Sequence, residues 1–188
     1  MIFSVIISNY NSAEYIDLFF KTWIEYKEKH SKNPIIFSVI DTKFIGNLDN
    51  NLDNWSDDGS LELLQEYRNK GIIKYLRTSE NPLLETEARN LALKSLLEEE
   101  SPEWVLSTAF DERIQFEEIE KLINYINKEK FIDCFSINYK NLVFTKNKWI
   151  EGFCPRRVWK VNCSNNYKLM GFYEDDGCFY ENLEGIML

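Results

Sequence analysis

The strongest constraint in this sequence is an alternation. Apolar runs rich in β-branched and aromatic residues recur at 2–8, 34–40, 72–76 and 104–107, and amphipathic stretches separate them. Runs of this kind are buried on both faces, and a strand–helix–strand rhythm gives parallel strands covered by helices. The first helix is expected to start at Asn11, an N-cap with Glu14 three residues later, and to run to about residue 30. Ile16, Phe19, Phe20, Trp23 and Ile24 follow at helical spacing and form its core face. Further helices are predicted over 60–69, stopped by Gly71, over 86–99 with Leu91, Leu93, Leu96 and Leu97 toward the core, and over 116–129. The residues between 41 and 58 are a long polar insertion, the kind of segment that carries function or moves.

After residue 130 the rhythm fails. Residues 131–137 and 157–161 read as strands without long helices between them, so a small mixed or antiparallel layer is expected on the same sheet. The 188 residues suit one α/β domain, 1–188, with halves at 1–115 and 116–188.

Composition narrows the function classes. The net charge of −9 argues against a nucleic-acid or anionic-lipid surface. His30 is the single histidine and stands at a helix end, where a capping role is expected, so one histidine argues against histidine-rich zinc sites and serine–histidine catalysis. Cys134, Cys154, Cys163 and Cys178 show no paired spacing; buried thiols are expected, with two disulfides the alternative. The apolar N-terminus lacks a basic lead-in, and no apolar run reaches the roughly 18 residues of a membrane span. A cytoplasmic chain without a transmembrane segment is expected. Aromatic residues make up 15%, which fits either a packed core or a sugar-stacking cleft.

Parallel sheets bind ligands at the C-terminal ends of their strands. That selects Ser8, Asn9, Tyr10 and Asn11, then Asp41 and its loop, then residues 77–85 and 109–113. Four segments stand there in order: Val5-Ile6-Ile7-Ser8-Asn9-Tyr10-Asn11-Ser12; Val39-Ile40-Asp41 with Asp57-Asp58-Gly59-Ser60; Glu87-Ala88-Arg89-Asn90; and Ser107-Thr108-Ala109-Phe110-Asp111-Glu112-Arg113. Together they resemble the family 2 glycosyltransferases of the GT-A fold, well over residues 2–125 and loosely beyond.

The resemblance implies a nucleotide-sugar-binding half followed by an acceptor-side half. It implies transfer of a sugar from a UDP or dTDP donor to a hydroxyl of a glycan or related acceptor, with inversion. By that likeness Ser8, Asn9 and Tyr10 touch the nucleotide, and Asp41 or Asp58 accepts from the base. The alternatives are a loop-capping role for Asp41 and a helix-capping role for Asp58. Arg89 serves the diphosphate, or pairs with Glu85 as a surface residue. The family's Asp-x-Asp metal motif stands here as Ala109-Phe110-Asp111, which leaves Asp111 to hold Mn²⁺ or Mg²⁺. Glu174 or Asp175 is the implied base, with a solvated acidic turn as the alternative. Arg156 and Arg157 clamp an anion or sit as strand-edge charges. Ala109 favours a non-catalytic binding module of the same fold. The absence of a glycine-rich basic loop after the first strand counts against a nucleotidyltransferase.

Overall fold

The computed structural model describes residues 2–32, 34–45, 54–128 and 158–161, with backbone alone for 134–136, 140–143, 148–151, 156–157 and 186–187. Strands β1 (Phe3–Asn9), β2 (Ile35–Asp41), β3 (Ile73–Thr78) and β4 (Trp104–Thr108) alternate with helices α1 (Ala13–Lys29), α2 (Ser60–Asn69), α3 (Glu85–Leu97) and α4 (Phe116–Lys128). Strands β5 (Cys134–Ser136), β6 (Lys140–Val143), β7 (Lys148–Glu151), β8 (Arg156–Lys160) and β9 (Ile186–Met187) follow. The main sheet has the order β3-β2-β1-β4-β8-β5-β9, and β6 pairs with β7 separately. Strands β1 to β4 are mutually parallel, whereas β8 runs antiparallel to β4 and β5. The mixed layer expected after residue 130 therefore continues the same sheet, and the β6–β7 hairpin is an addition the sequence did not announce.

Side chains alternate across each strand, which splits the core in two. Val5, Ile7, Phe37, Val39 and Leu106 face α1, α2 and α4. Ile6, Ile40 and Val105 face α3. The first face holds the aromatic residues. Phe19, Phe20 and Trp23 of α1 set their rings 5.3–6.5 Å from Phe37, and Phe19 and Phe20 also meet Phe110. Burying one such side chain contributes about 1.5–3 kcal/mol. Much of the chain's aromatic content is thus core, which resolves for these rings what composition leaves open. The α3 face is built differently. Ala88, Ala92 and Ser95 of α3 meet buried Ser4, Ser38 and Ser107 of the sheet, and the Ser38 hydroxyl donates to the Ala92 carbonyl at 2.7 Å. Small residues bring this helix close to the strands.

Three local expectations change. Asn11 is not the cap of α1; it takes a positive φ of 50°, and Ser12 holds the N-cap position. Leu97 is exposed, because α3 ends there and its core side is carried by Ala88, Ala92, Leu93 and Leu96. Glu98-Glu99-Glu100, a charged run expected from the sequence to be a solvated helix end, is held by partners. Arg77 donates to Glu98 at 3.0 Å, Tyr75 donates to Glu99 at 3.2 Å and to Glu100 at 3.0 Å, and Lys74 pairs with Glu100. The edge strand β3 is tied by these contacts to the end of α3. Gly71, at φ 73°, closes α2 as expected, and the Ile72 N–H reaches back to the Tyr67 carbonyl at 3.0 Å.

His30 does more than cap α1. Its ring stacks on Tyr26 and lies 6.2 Å from Phe116, and Nε2 is 2.7 Å from the Glu120 carboxylate. The histidine joins α1 to α4. His30→Ala should lower the free energy of unfolding by about 1 kcal/mol in urea denaturation, and His30→Phe should recover most of the packing. Among the described residues no helix is long and apolar enough to cross a membrane.

Candidate functional site

Strand register brings the selected residues to one rim. Asn9 lies beside Asp41, Asp41 beside Thr78, and Ile7 beside Thr108. The ends of β1 to β4 and the loops after them therefore share the C-terminal edge of the sheet.

Asp41 is fully buried there, and its carboxylate accepts three hydrogen bonds. Oδ1 accepts from Asn9 Nδ2 at 2.5 Å and from Ser56 Oγ at 2.6 Å; Oδ2 accepts from the Ser56 N–H at 2.8 Å. Burial pushes the Asp41 carboxyl above its usual range, hydrogen bonds from Ser56 and Asn9 offset part of that, and the Asp58 charge adds to it. Ser56, which the sequence reading passed over, is the hub. Its hydroxyl also accepts the Asn11 N–H at 2.8 Å. The only sequence signal for it is its place immediately before Asp57-Asp58-Gly59-Ser60.

That segment lies against the β1–α1 loop residue by residue. The amide of Asn11 donates to Asp57 Oδ1 at 2.9 Å, and the Asp57 N–H returns to Asn11 Oδ1 at 3.0 Å. Asp58 accepts the Ala13 N–H at 2.9 Å with one oxygen, and the Ser60 N–H and hydroxyl, at 2.9 and 2.5 Å, with the other. One carboxylate thus satisfies the first turns of both α1 and α2, where peptide N–H groups lack internal partners. Burial alone would push Asp58 up, but its hydrogen bonds from Ser60 and Ala13 outweigh it and hold the carboxyl below its usual range. A lowered folded value means stability that is present above the unfolded value of 3.8 and is lost as pH falls through the folded one. Asp58→Ala should therefore cost about 1–2 kcal/mol at neutral pH and progressively less in acid, measured by urea denaturation across that range.

The insertion is anchored at both described ends. Lys43 N–H donates to the Asn54 carbonyl at 2.8 Å, the Ile45 N–H to the Leu83 carbonyl at 2.9 Å, and the Leu83 N–H to the Lys43 carbonyl at 3.0 Å. Phe44 meets the Tyr10 ring at 6.4 Å, edge to face.

Arg89 stands on the other face of the sheet. Its side chain is 11% exposed, so it is not a surface arginine, yet it pairs with Glu85. Its Nε reaches the Ser8 hydroxyl at 3.5 Å. Ser8 and Asn9 are successive residues of β1 and point to opposite faces, so Arg89 with Ser8 and Asp41 with Asn9 form two groups on either side of that strand end.

At the end of β4, Phe110 is buried and Asp111 is exposed. Glu112 turns back: one carboxylate oxygen accepts the Thr108 hydroxyl at 2.9 Å and the Ala109 N–H at 3.2 Å. The Tyr15 hydroxyl is pushed up by its hydrogen bond to Glu14 and the Glu14 charge, then by burial, and last by the Asp111 charge. A divalent hard cation takes six or more oxygen ligands. Here Ala109 supplies none, Glu112 is spent on its own turn, and the described residues contain no group of three carboxylate, histidine or cysteine ligands. Among the described residues that leaves Asp111 as the exposed carboxylate of this turn for Mn²⁺ or Mg²⁺, an ion whose remaining ligands can be water and substrate phosphate oxygens.

A groove of about 630 Å³ runs between α2 and β3, lined by Leu61, Glu62, Gln65, Arg68, Leu76 and Arg77 among others; none of Ser8, Asn9, Asp41, Arg89 and Asp111 lines it. Glu174 and Asp175 lie outside the described residues. So do the side chains of Arg156 and Arg157, whose backbone belongs to β8.

A family model described as "Glycosyl transferase family 2" matches residues 52–182. Two S. aureus structures resemble the chain. TarS 1-349 in complex with UDP-GlcNAc is 25% identical at a TM-score of 0.51 and covers 74% of this chain. TarS 1-349 in complex with UDP is also 25% identical, with a TM-score of 0.50 over 74%. The chain spans 35% and 36% of those two proteins. The sheet and its helices match the GT-A fold of these neighbours. No curated protein sequence matches significantly.

Proposed function

Because the chain belongs to glycosyl transferase family 2, we propose that it carries the donor-binding part of a glycosyltransferase that takes a sugar from a UDP or dTDP donor. The acceptor is a hydroxyl on a glycan or related molecule. The observation that carries this reading is the likeness, over 74% of the chain, to a protein crystallised with UDP-GlcNAc.

In this reading the β1–α1 loop, with Ser8, Asn9 and Tyr10, meets the nucleotide. Asp41 and Asp58 hold that loop in shape: both are already committed to its amides and to Ser56 and Ser60. A base-reading role for either aspartate would use the acceptor position its three hydrogen bonds leave over. Arg89 supplies a desolvated guanidinium for the diphosphate, where charge accumulates as the sugar–oxygen bond breaks. Asp111 is the acidic group at the end of β4. Glu174 or Asp175 takes the proton of the attacking hydroxyl, with the sugar inverting as the attack proceeds from the face opposite the diphosphate. Arg156 and Arg157 are assigned to an anionic donor or acceptor group. The division into a donor half, 1–115, and an acceptor-side half, 116–188, belongs to the same proposal.

Ala109 favours a second reading, a module that binds nucleotide-sugar without turnover. A thermal-shift series with UDP, dTDP, GDP and their sugars, with and without Mn²⁺, tests both. Stabilisation by one nucleoside diphosphate is the expected result; no shift with any of them defeats both readings. A further shift with Mn²⁺ that Asp111→Asn removes would assign Asp111 to the cation. Release of free sugar or transfer to an acceptor separates the enzyme from the module.

A further inference from the structure

Arg89 is the arginine that burial has closed off among the described residues, and its partner is not comparably buried. The Arg89 side chain is 11% exposed and the Glu85 side chain 52%. A sealed guanidinium requires an anion beside it. A half-wet carboxylate can leave at small cost, since it regains water it has only partly lost and since exposed pairs of this kind contribute little.

We propose that Glu85 is a stand-in anion: it occupies the guanidinium of Arg89 until the phosphate oxygens of a nucleoside diphosphate displace it. The inference rests on the donor reading above and adds a residue that the family-like motif Ala88-Arg89-Asn90 does not contain.

Three features converge. Arg89 Nε lies 3.5 Å from Ser8 Oγ, which places the guanidinium beside the C-terminal end of β1. Glu85 is the first residue of α3 and precedes Arg89 by four, the order in which a glutamate–arginine pair forms most readily. The same helix end that favours the Glu85 carboxylate also favours phosphate oxygens. Glu87 does not compete, because its carboxylate is bonded to the Leu84 N–H at 2.9 Å.

The consequence is a threshold. A ligand reaches Arg89 only by outcompeting a tethered carboxylate, and its apparent affinity falls by the fraction of molecules in which that pair is made. A diphosphate, with more charge and more acceptors than a carboxylate, overcomes this. A neutral nucleoside never engages the pair. Glu85 thereby sharpens discrimination for the diphosphate and lets the product leave by taking its place.

Isothermal titration of uridine, UMP, UDP and inorganic pyrophosphate into the wild type, Glu85→Gln, Arg89→Gln and Glu98→Gln tests this. Glu98 pairs with Arg77 on the surface, so its variant makes the same change in net charge elsewhere. Glu85→Gln should tighten UDP and pyrophosphate by about fivefold and leave uridine unchanged. Arg89→Gln should weaken UDP by about tenfold or more. Glu98→Gln should match the wild type. The inference is overturned if UDP binds the wild type and Glu85→Gln leaves its affinity unchanged or weaker, or if Glu98→Gln tightens it equally. UDP binding that Arg89→Gln removes and Glu85→Gln does not alter keeps the donor reading and discards only the stand-in. Binding of no nucleoside diphosphate to any of the four discards both.

Discussion

Phe110→Ala should lower the free energy of unfolding by about 3–5 kcal/mol, the usual cost of emptying a fully buried aromatic site. Phe110 is 1% exposed, and its ring lies 5.2 Å from Phe19 and 5.6 Å from Phe20, edge to face in both cases. The two partners belong to α1 and also pack on Phe37 of β2, so the hole would open where helix and sheet meet. Phe110→Leu keeps most of the volume and should cost about 1–2 kcal/mol. Urea denaturation of both variants gives the comparison, and a loss below about 1 kcal/mol for the alanine variant would mean that the ring is not wedged as described. The effect reaches the rim. Phe110 separates Ala109, whose N–H is held by Glu112, from exposed Asp111. Its burial fixes which neighbours face out, so in the leucine variant any Asp111-dependent ligand effect should survive.

The parallel half of the fold was legible because burial on both faces leaves a compositional trace. Residues 2–8 and 34–40 contain no charge, and they form β1 and β2 shifted by one residue. The helices were legible from their apolar spacing, and their ends less so. Asn11 has the chemistry of an N-cap, but a distant carboxylate, Asp58, already satisfies the start of α1, so Asn11 is released into a left-handed turn and pairs with Asp57. No local rule reports a cap that arrives from 45 residues away. The glutamates at 98–100 mislead for the same reason: a charged run reads as solvated until strand pairing places Lys74, Tyr75 and Arg77 beside it. At the site, the rim rule selected Ser8, Asn9, Asp41 and Asp111 by position, and the family resemblance added Arg89. It gave no hint that β1 divides them, because the parity that separates Ser8 from Asn9 only acquires meaning once α3 is known to cover one face. Ser56 was invisible as a lone serine inside a polar insertion.

Asp41→Ala should cost about 2–4 kcal/mol at acidic to neutral pH, because it strands donors that have nowhere else to go. Ser56 is 5% exposed and Asn9 is 1% exposed, and the side-chain Oδ1 of Asn9 already lacks a hydrogen-bond partner among the described residues. The pH dependence distinguishes this aspartate from its neighbour. Burial raises the folded value of Asp41 above its ordinary 3.8 despite the bonds from Ser56 and Asn9, so ionisation works against folding. A raised folded value means a contribution that is complete below the unfolded value and declines as pH rises through the folded one. The deficit of Asp41→Ala should therefore be largest below the unfolded value of 3.8 and shrink as pH rises through the raised folded one, while the deficit of Asp58→Ala changes in the opposite sense, declining in acid. Asp41→Asn removes the titrating group and keeps one acceptor, so it should cost less than alanine at each pH while its deficit declines with rising pH in the same sense. Urea denaturation of the three variants against the wild type across that range checks the signs. Parallel deficits for Asp41→Ala and Asp58→Ala would mean that the two carboxylates share one environment, and the division of labour along the 56–60 segment would have to be abandoned.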